Sequence, residues 1–231
     1  MATTKFAVIG VGKYGSAIAR ELAAKGAEVY AFDVDPEKIE SIKDEVAAAI
    51  SLDTTDKKAL IAHNVEEMDA VVIAIGEDFE AVVLTAFNLL DLEIPRVISR
   101  ASGPNQQRIL EKIGVTEILS PESEVATRVA ERLVNPNITA FLSLPDEYEI
   151  AEIKAPSGIA NRSLGDIDLT HKYNLTLITL KREFEVKEDG ELIKEEHILG
   201  VPRNETVVYE TDTLVVFGTL QNVKRFLEIN G

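Results

Sequence analysis

The sequence predicts a doubly wound α/β domain, in which helices cover both faces of a parallel sheet, followed by a smaller α+β domain. Two observations support this fold class. Between residues 5 and 133, six short apolar segments alternate with six amphipathic segments, and apolar runs without strict alternation are typical of strands buried in a parallel sheet. Two βαβαβ halves predict the strand order 3-2-1-4-5-6, with a ligand crevice at the carboxyl ends of strands 1 and 4.

The elements of the first domain follow one another as strand–helix pairs. They are FAVIG and helix 14–25, VYAF and helix 36–45, AAAIS and helix 56–63, AVVIAI and helix 79–90, RVIS and helix 104–113, and EIL and helix 122–133. Glycines at 26 and 114 stand where helices end, and prolines at 36, 104 and 121 stand near helix starts. These residues support the predicted boundaries.

The pattern changes after residue 133. The sequence Asn135-Pro136-Asn137 breaks the last helix, and ITAFLSL predicts a short apolar turn. We therefore predict an N-terminal domain 1–135, a crossover or hinge segment 136–145, and a C-terminal domain 146–231. In this last domain, YEIAEI, LTLITL and TLVVFG predict strands, Asp189-Gly190 a turn, and residues 221–229 a helix.

The charged stretch 184–197 allows two interpretations. It is either a protruding hairpin or mobile loop, or a plain solvated connection, which is the more common role of a charge run.

Composition limits the classes of function. The net charge of −16 argues against nucleic-acid partners, which need a positive footprint. The chain has no cysteine, which excludes disulfides, thiolate metal sites and cysteine nucleophiles. No apolar run approaches the ~20 residues that span a bilayer, and no signal-peptide pattern precedes the first strand. We expect a soluble, cytoplasmic protein.

The most informative segment is residues 5–15, KFAVIGVGKYG, in which a strand leads into glycines spaced G-x-G-x-x-G. In a Rossmann-like domain, Gly10 makes the tight turn, Gly12 lets the backbone approach a pyrophosphate, and Gly15 lets the helix pack on the strand. The next predicted strand delivers Asp33, whose carboxylate suits two ribose hydroxyls and repels a 2′-phosphate. We expect Asp33→Ala to abolish nucleotide binding with the fold intact.

Catalytic groups are scarce. His63 lies at a predicted helix end, His171 at the end of a turn and His197 in the charged stretch, and a structural role suits each better than acid–base catalysis. G-x-S-x-G, H-E-x-x-H and Walker A sequences are absent. Nucleotide binding without visible catalysis is typical of a sensor rather than an enzyme.

The segments VIGVGKYGSAIARELAAKG, FDVDPEKI, LDTTD, VVIAIGED and ILEKIGVTEILSPESEVA, with the C-terminal YEIAEI…RSLGDIDL…TLVVFG, resemble the RCK (regulator of K⁺ conductance) subunits of Ktr and Trk potassium transporters. The resemblance extends from residue 5 to about 227. It implies that the N-terminal lobe binds ATP or ADP, with NAD or NADH as alternatives. It also implies homodimers that assemble into an octameric cytoplasmic ring, which gates a membrane-embedded potassium transporter subunit and lies at the inner face of the membrane.

The resemblance also implies a set of site residues. The positions that match the family's nucleotide site are Gly10, Gly12, Lys13, Tyr14, Gly15, Asp33, Asp53, Thr54, Ala74, Ile75, Gly76 and Arg100. Glu122 matches an acidic residue of a cation site, for Mg²⁺ or Ca²⁺, at the dimer interface, although a carboxylate there also suits a helix N-terminus.

Two departures from the family bear on ligands. Many relatives carry arginine at the position of Lys13, and lysine lacks the planar fork, so discrimination between ATP and ADP is in doubt. The arginine with which some relatives bind cyclic di-AMP has no counterpart in residues 168–173, which leaves that ligand unsupported. A regulator of a cation–proton antiporter and an NAD-dependent oxidoreductase remain as alternative functions.

Overall fold

The computed structural model describes residues 4–188 and 191–231. The chain divides into two compact units, and the division falls between Glu124 and Val125. The division predicted from the sequence, into domains 1–135 and 146–231 with a crossover or hinge segment 136–145 between them, stays a prediction. Among the described residues, no helix is both long and apolar enough to cross a membrane.

The first unit is a six-stranded sheet with helices on both faces. Its strands are β1 Lys5–Ile9, β2 Glu28–Asp33, β3 Ala48–Ser51, β4 Ala70–Ile73, β5 Val97–Arg100 and β6 Glu117–Leu119. Its helices are α1 Lys13–Ala24, α2 Pro36–Glu40, α3 Lys57–Ala62, α4 Phe79–Asp91, α5 Pro104–Ile113 and α6 Pro121–Val134, the last of which continues into the second unit. The strand order is β3-β2-β1-β4-β5-β6 and every neighbouring pair is parallel, which confirms the predicted order.

The sheet carries a hydrophobic core on each face. Along β1, Ala7 and Ile9 belong to one core and Val8 to the other, because successive side chains of a strand point to opposite faces. All four residues of β4 are buried. Burial on both faces explains why these strands are apolar throughout instead of alternating.

The predicted helix 36–45 is wrong in its second half. α2 ends at Glu40, and the Ile42 N–H donates to the Ile39 carbonyl three residues back, at 3.2 Å, in place of the usual four. The Ser41 hydroxyl donates to the Lys38 carbonyl at 2.6 Å, which supports this tighter turn. The turn places Ile42 in the core, fully buried.

The second unit is built around an antiparallel sheet. Its elements are β7 Ile138–Ser143, β8 Tyr148–Lys154, β9 Arg162–Ser163, α7 Leu164–Ile167, α8 Leu169–Tyr173, β10 Thr176–Glu188, β11 Glu191–Ile198, β12 Val207–Val208, β13 Thr213–Thr219 and α9 Leu220–Asn230. The main sheet has the order β11-β10-β13-β8-β7, and β9 pairs with β12. This arrangement confirms the predicted smaller α+β domain.

Three local predictions in this unit need correction. ITAFLSL forms strand β7, which pairs with β8, and not an apolar turn. The charged stretch is a two-stranded hairpin of β10 and β11, with His197 in β11, and not a plain connection. His171 lies inside the short helix α8. The predicted turn at Asp189-Gly190 lies outside the described residues.

A cleft of about 850 Å³ lies in the second unit between the β7–β8 connection and α9. Glu149 lines it, and the strand alternation that buries Ala151 and Ile153 places Glu149 on the same face of β8. Its Oε1 atom is buried and accepts no hydrogen bond from the described residues. Burial raises the pKa of Glu149, the charge of Glu131 raises it further, and Lys224 opposes both.

We expect Glu149→Gln to stabilise the protein at neutral pH. Because the folded-state pKa of Glu149 is raised, the carboxyl group costs nothing below the unfolded-state pKa of ~4.3, and the native state loses stability as the pH rises through the folded-state pKa. Urea unfolding, followed by circular dichroism at several pH values, should show an advantage of the variant that grows as the pH rises above ~4.3 and levels off above the folded-state pKa of Glu149. Glu228→Gln, an exposed carboxylate in the same cleft, serves as the control. An advantage independent of pH would contradict the assignment.

Candidate functional site

The loop between β1 and α1 packs tightly against the residues that follow β4. Gly10 has φ +91°, and a Cβ there would lie 2.8 Å from the Ile75 nitrogen. A Cβ at Gly15 would lie 1.9 Å from the Gly10 carbonyl oxygen. These two glycines are therefore required by the packing of the chain on itself.

Gly12 differs from both. Its φ of −73° suits any residue. Apart from Gly12, its two chain neighbours and the nearby backbone of α1, no atom of the described residues lies within 4 Å of the Cβ that a side chain would add. Gly12 is the N-cap of α1, whose first turn contains no acidic residue. The space beside Gly12 thus adjoins unpaired N–H groups and the positive end of a helix dipole, which together attract anions.

Asp33 is the last residue of β2 and is 7% exposed. Its Oδ2 accepts a hydrogen bond from the Val11 N–H at 2.7 Å, and its Oδ1 accepts one from the Asp35 N–H at 2.9 Å. The carboxylate therefore holds the glycine loop in place. Asp33→Ala strips two backbone donors of their acceptor, at about 1–3 kcal/mol each if they stay buried, so we expect this change to lower stability as well as nucleotide binding.

Lys38, which the sequence reasoning passed over, places its Nζ 3.5 Å from Asp33 Oδ1. It sits in α2 just after Asp35 caps that helix, so a basic residue three positions past the N-cap was the available signal. This charge offsets part of the repulsion that Asp33 exerts on a 2′-phosphate.

Asp53 and Thr54 follow β3 and differ in their exposure. Asp53 is exposed, and its Oδ1 accepts hydrogen bonds from the Thr55 hydroxyl at 2.7 Å and the Thr55 N–H at 3.0 Å, which lower the pKa of Asp53. Thr54 is buried, and its hydroxyl lies 2.8 Å from the hydroxyl of Thr85 on α4. The Thr54 side chain thus ties the segment after β3 to α4, and the Thr54 carbonyl accepts a further hydrogen bond from the Asn88 Nδ2 on α4 at 3.2 Å.

Ala74, Ile75 and Gly76 follow β4 beside the glycine loop. The Ala74 N–H donates to the Ile9 carbonyl at 2.7 Å, which continues the pairing of β4 with β1. A Cβ at Gly76 would lie 2.8 Å from a terminal nitrogen of Arg100. The ends of β1, β4 and β5 are therefore brought together at one edge of the sheet, as the predicted crevice requires.

Arg100 ends β5, and its guanidinium faces the glycine loop. Its Cζ lies 5.9 Å from the centre of the Tyr14 ring, in the first turn of α1, and its side chain is 20% exposed. One terminal nitrogen pairs with Glu122 in the first turn of α6. The Arg100 Nε is buried and donates to no acceptor within residues 4–188 and 191–231. A buried N–H of this kind calls for a partner.

The remaining predicted residues are more exposed. Lys13 opens α1 and is exposed, whereas Tyr14 is partly buried. Burial raises the pKa of Tyr14, with Glu124 adding to the effect and Arg100 opposing it.

Glu122 is paired with Arg100. Its own backbone N–H and the Arg100 guanidinium lower the pKa of Glu122. In the described residues, no group of three or more His, Cys, Asp or Glu could hold a metal. The cation site therefore stays a prediction.

A parallel sheet with this order, a glycine loop after β1 and a carboxylate at the end of β2 defines a dinucleotide-binding type of domain, here with a small antiparallel domain attached. Residues 6–121 match the model of the TrkA-N domain family. The chain belongs to the TrkA-N family of Ktr potassium uptake proteins, which confirms the resemblance found in the sequence.

Two relatives from Bacillus subtilis (strain 168) show this similarity over 222 residues. The chain is 32% identical to Ktr system potassium uptake protein C and 30% identical to Ktr system potassium uptake protein A, covering 96% of this chain and 95% of each relative. The described fold also resembles a GsuK channel bound to NAD, with a TM-score of 0.62 at 17% identity over 99% of this chain and 39% of the channel. The crystal structure of the GsuK RCK domain has a TM-score of 0.52 at 20% sequence identity, and the match covers 97% of this chain and 46% of the GsuK RCK chain.

We expect serine substitutions at Gly15 and Gly12 to have different effects on stability. Gly15→Ser should destabilise the fold by about 1–3 kcal/mol or more, because its Cβ has no room beside the Gly10 carbonyl. Gly12→Ser should leave the stability within about 0.5 kcal/mol, since serine is a good N-cap and the space is open. Thermal unfolding of the two variants checks this pair, and equal destabilisation would contradict the described loop geometry.

Proposed function

We propose that the chain is a nucleotide-binding regulatory subunit of a membrane potassium transporter, with an adenine nucleotide in the crevice at the ends of β1 and β4. The open space at Gly12 carries this proposal. Packing within the chain accounts for glycine at 10 and 15 but not at 12, whereas a pyrophosphate seated on the N-terminus of α1 would account for it.

The charges of the crevice suit phosphates. Lys13 is exposed at the first residue of α1, and Arg100 holds a buried Nε that lacks an acceptor among the described residues. A phosphate beside Arg100 would accept hydrogen bonds from its guanidinium and from the α1 N–H groups. Lys13 and the N-terminus of α1 thus place positive charge beside the glycine loop of a chain whose net charge is −16. This favours a local anion site over attraction by the overall charge of the protein.

The other predicted residues take roles around the nucleotide. Asp33 suits the ribose hydroxyls, since an ionised carboxylate keeps lone pairs beyond those its two N–H donors use. Asp53 and the Thr54 backbone would flank the adenine. We propose ATP or ADP as the ligand, with NAD or NADH as the alternative, for which the NAD-bound GsuK channel offers a parallel in fold. A divalent cation at Glu122 would require ligands from a second copy.

Regulation would follow from a difference in nucleotide affinity between two conformations of the assembled subunit. The names of the two Bacillus relatives, both Ktr system potassium uptake proteins, support a potassium transport system as partner. A membrane-embedded transporter subunit, with this chain on the inner face of the membrane, belongs to the same proposal. Homodimers that build an octameric ring belong to the same proposal. Nothing in residues 168–173 adds support for cyclic di-AMP.

We expect Gly12→Ser to remove nucleotide binding from a stable protein. Calorimetric titration with ATP, ADP, NAD and NADH should give at least one clear binding isotherm for the wild type and a loss of at least tenfold in affinity for the variant, because the new side chain occupies the phosphate position.

Gly103→Ser is the matched control for this experiment. Gly103 is the N-cap of α5 and has an extended backbone, and no described residue outside its own chain neighbours and the nearby backbone of α5 lies within 4 Å of an added Cβ. This variant should bind as the wild type does. Unchanged affinity in Gly12→Ser, or no binding of any of the four ligands to the wild type, would overturn the assignment.

The partner can be tested separately. A tagged chain, expressed in its own host and captured from detergent-solubilised membranes, should retain a membrane potassium transporter subunit identified by mass spectrometry, and the tag alone should not. Capture of a cation–proton antiporter in its place would support the alternative regulator. Turnover of NADH with a metabolite panel would support the oxidoreductase instead.

A further inference from the structure

Arg100 already holds an anion from the chain itself. Its guanidinium pairs with the carboxylate of Glu122 and lies over the Tyr14 ring. It also approaches Gly76 so closely that a Cβ added there would lie 2.8 Å from a terminal nitrogen of Arg100. A guanidinium has five N–H donors, and the Nε–H is left without an acceptor in the part of the chain that the structure describes. Arg100 is thus only partly satisfied by Glu122.

The two groups of this pair differ in burial. The side chain of Arg100 is 20% exposed, whereas that of Glu122 is 59% exposed. Transfer of Glu122 from the guanidinium to water therefore costs little, because an exposed carboxylate is readily hydrated and its ion pair is weak. Transfer of Arg100 away from all anions costs more, since its Nε is already buried.

Phosphate is the stronger competitor for this arginine. A terminal nucleotide phosphate carries more negative charge than a carboxylate and can accept two parallel N–H bonds from the guanidinium fork. Phosphate and Glu122 on one guanidinium would also repel each other. Tyr14, whose ring is 5.9 Å from Arg100 Cζ, stands in the first turn of α1, where the nucleotide phosphates are proposed to lie.

We propose that Glu122 is an internal competitor that occupies Arg100 until a nucleotide phosphate displaces it. The inference rests on the proposed nucleotide site. Glu122 then sets the affinity threshold for phosphate-bearing ligands and has no effect on the nucleoside part. The released carboxylate lies in the first turn of α6, the helix that continues from the first unit into the second, so the exchange changes the charge contacts of that helix whenever the site fills.

The test is a calorimetric comparison of ADP and adenosine binding in the presence of EDTA, which removes divalent cations. Glu122→Gln should bind ADP about twofold to fivefold more tightly than the wild type, the range expected when a partly exposed ion pair no longer competes. Adenosine affinity should not change. Arg100→Gln should bind ADP more weakly, and adding Glu122→Gln to it should have no further effect, as a double-mutant cycle requires.

Glu124→Gln is the matched control, because Glu124 carries the same charge in the same helical turn while Arg100 pairs with Glu122. It measures the general effect of removing one negative charge near the site. An ADP affinity of Glu122→Gln equal to that of Glu124→Gln, or lower than that of the wild type, would overturn the proposal. An equal gain for adenosine would do the same. Absence of ADP binding to the wild type would instead refute the nucleotide site itself, and this inference with it.

Discussion

The first unit depends on the close approach of three backbone segments, namely the β1–α1 loop, the start of α1 and the turn after β4. Gly15 meets the Gly10 carbonyl, and Gly10 meets the Ile75 backbone, at distances that exclude a Cβ at either glycine. The N-terminus of α1 therefore packs directly against the edge of the sheet. The contact lies at the carboxyl ends of β1 and β4, which are neighbours at the centre of the sheet, and it places the glycine loop, the start of α1 and residues 74–76 side by side.

Asp33 links this packing to chemistry. Its carboxylate accepts N–H bonds from Val11 in the loop and from Asp35 in the next turn, so it joins the ends of β1 and β2. A residue that supports the loop and also suits a ribose cannot be used to separate stability from binding. Because a change at Asp33 would affect both the loop and the ligand, a substitution at Gly12 is a better probe of ligand binding than one at Asp33.

The strand order of the first unit could be predicted from the sequence, because six apolar runs buried on both faces leave few alternatives once the glycine loop marks β1. The pairing of Thr54 with Thr85, the ion pair of Lys38 with Asp33 and the pair of Arg100 with Glu122 could not, since each joins residues whose contact depends on tertiary structure. Strand β7 was missed because its six residues alternate poorly and only β8 beside it defines it as a strand.

Two kinds of residue can therefore be distinguished in the crevice. Gly10, Gly15 and Thr54 are explained by contacts within the chain. Gly12 and the Arg100 Nε–H are not, because the described residues neither fill the space at the first nor supply an acceptor to the second. Structural roles account for the former without any ligand, whereas the proposed phosphate would occupy the space at Gly12 and bring acceptor atoms beside Arg100 and α1. Since both point to one chemical class, a phosphate ester explains the crevice with the fewest assumptions.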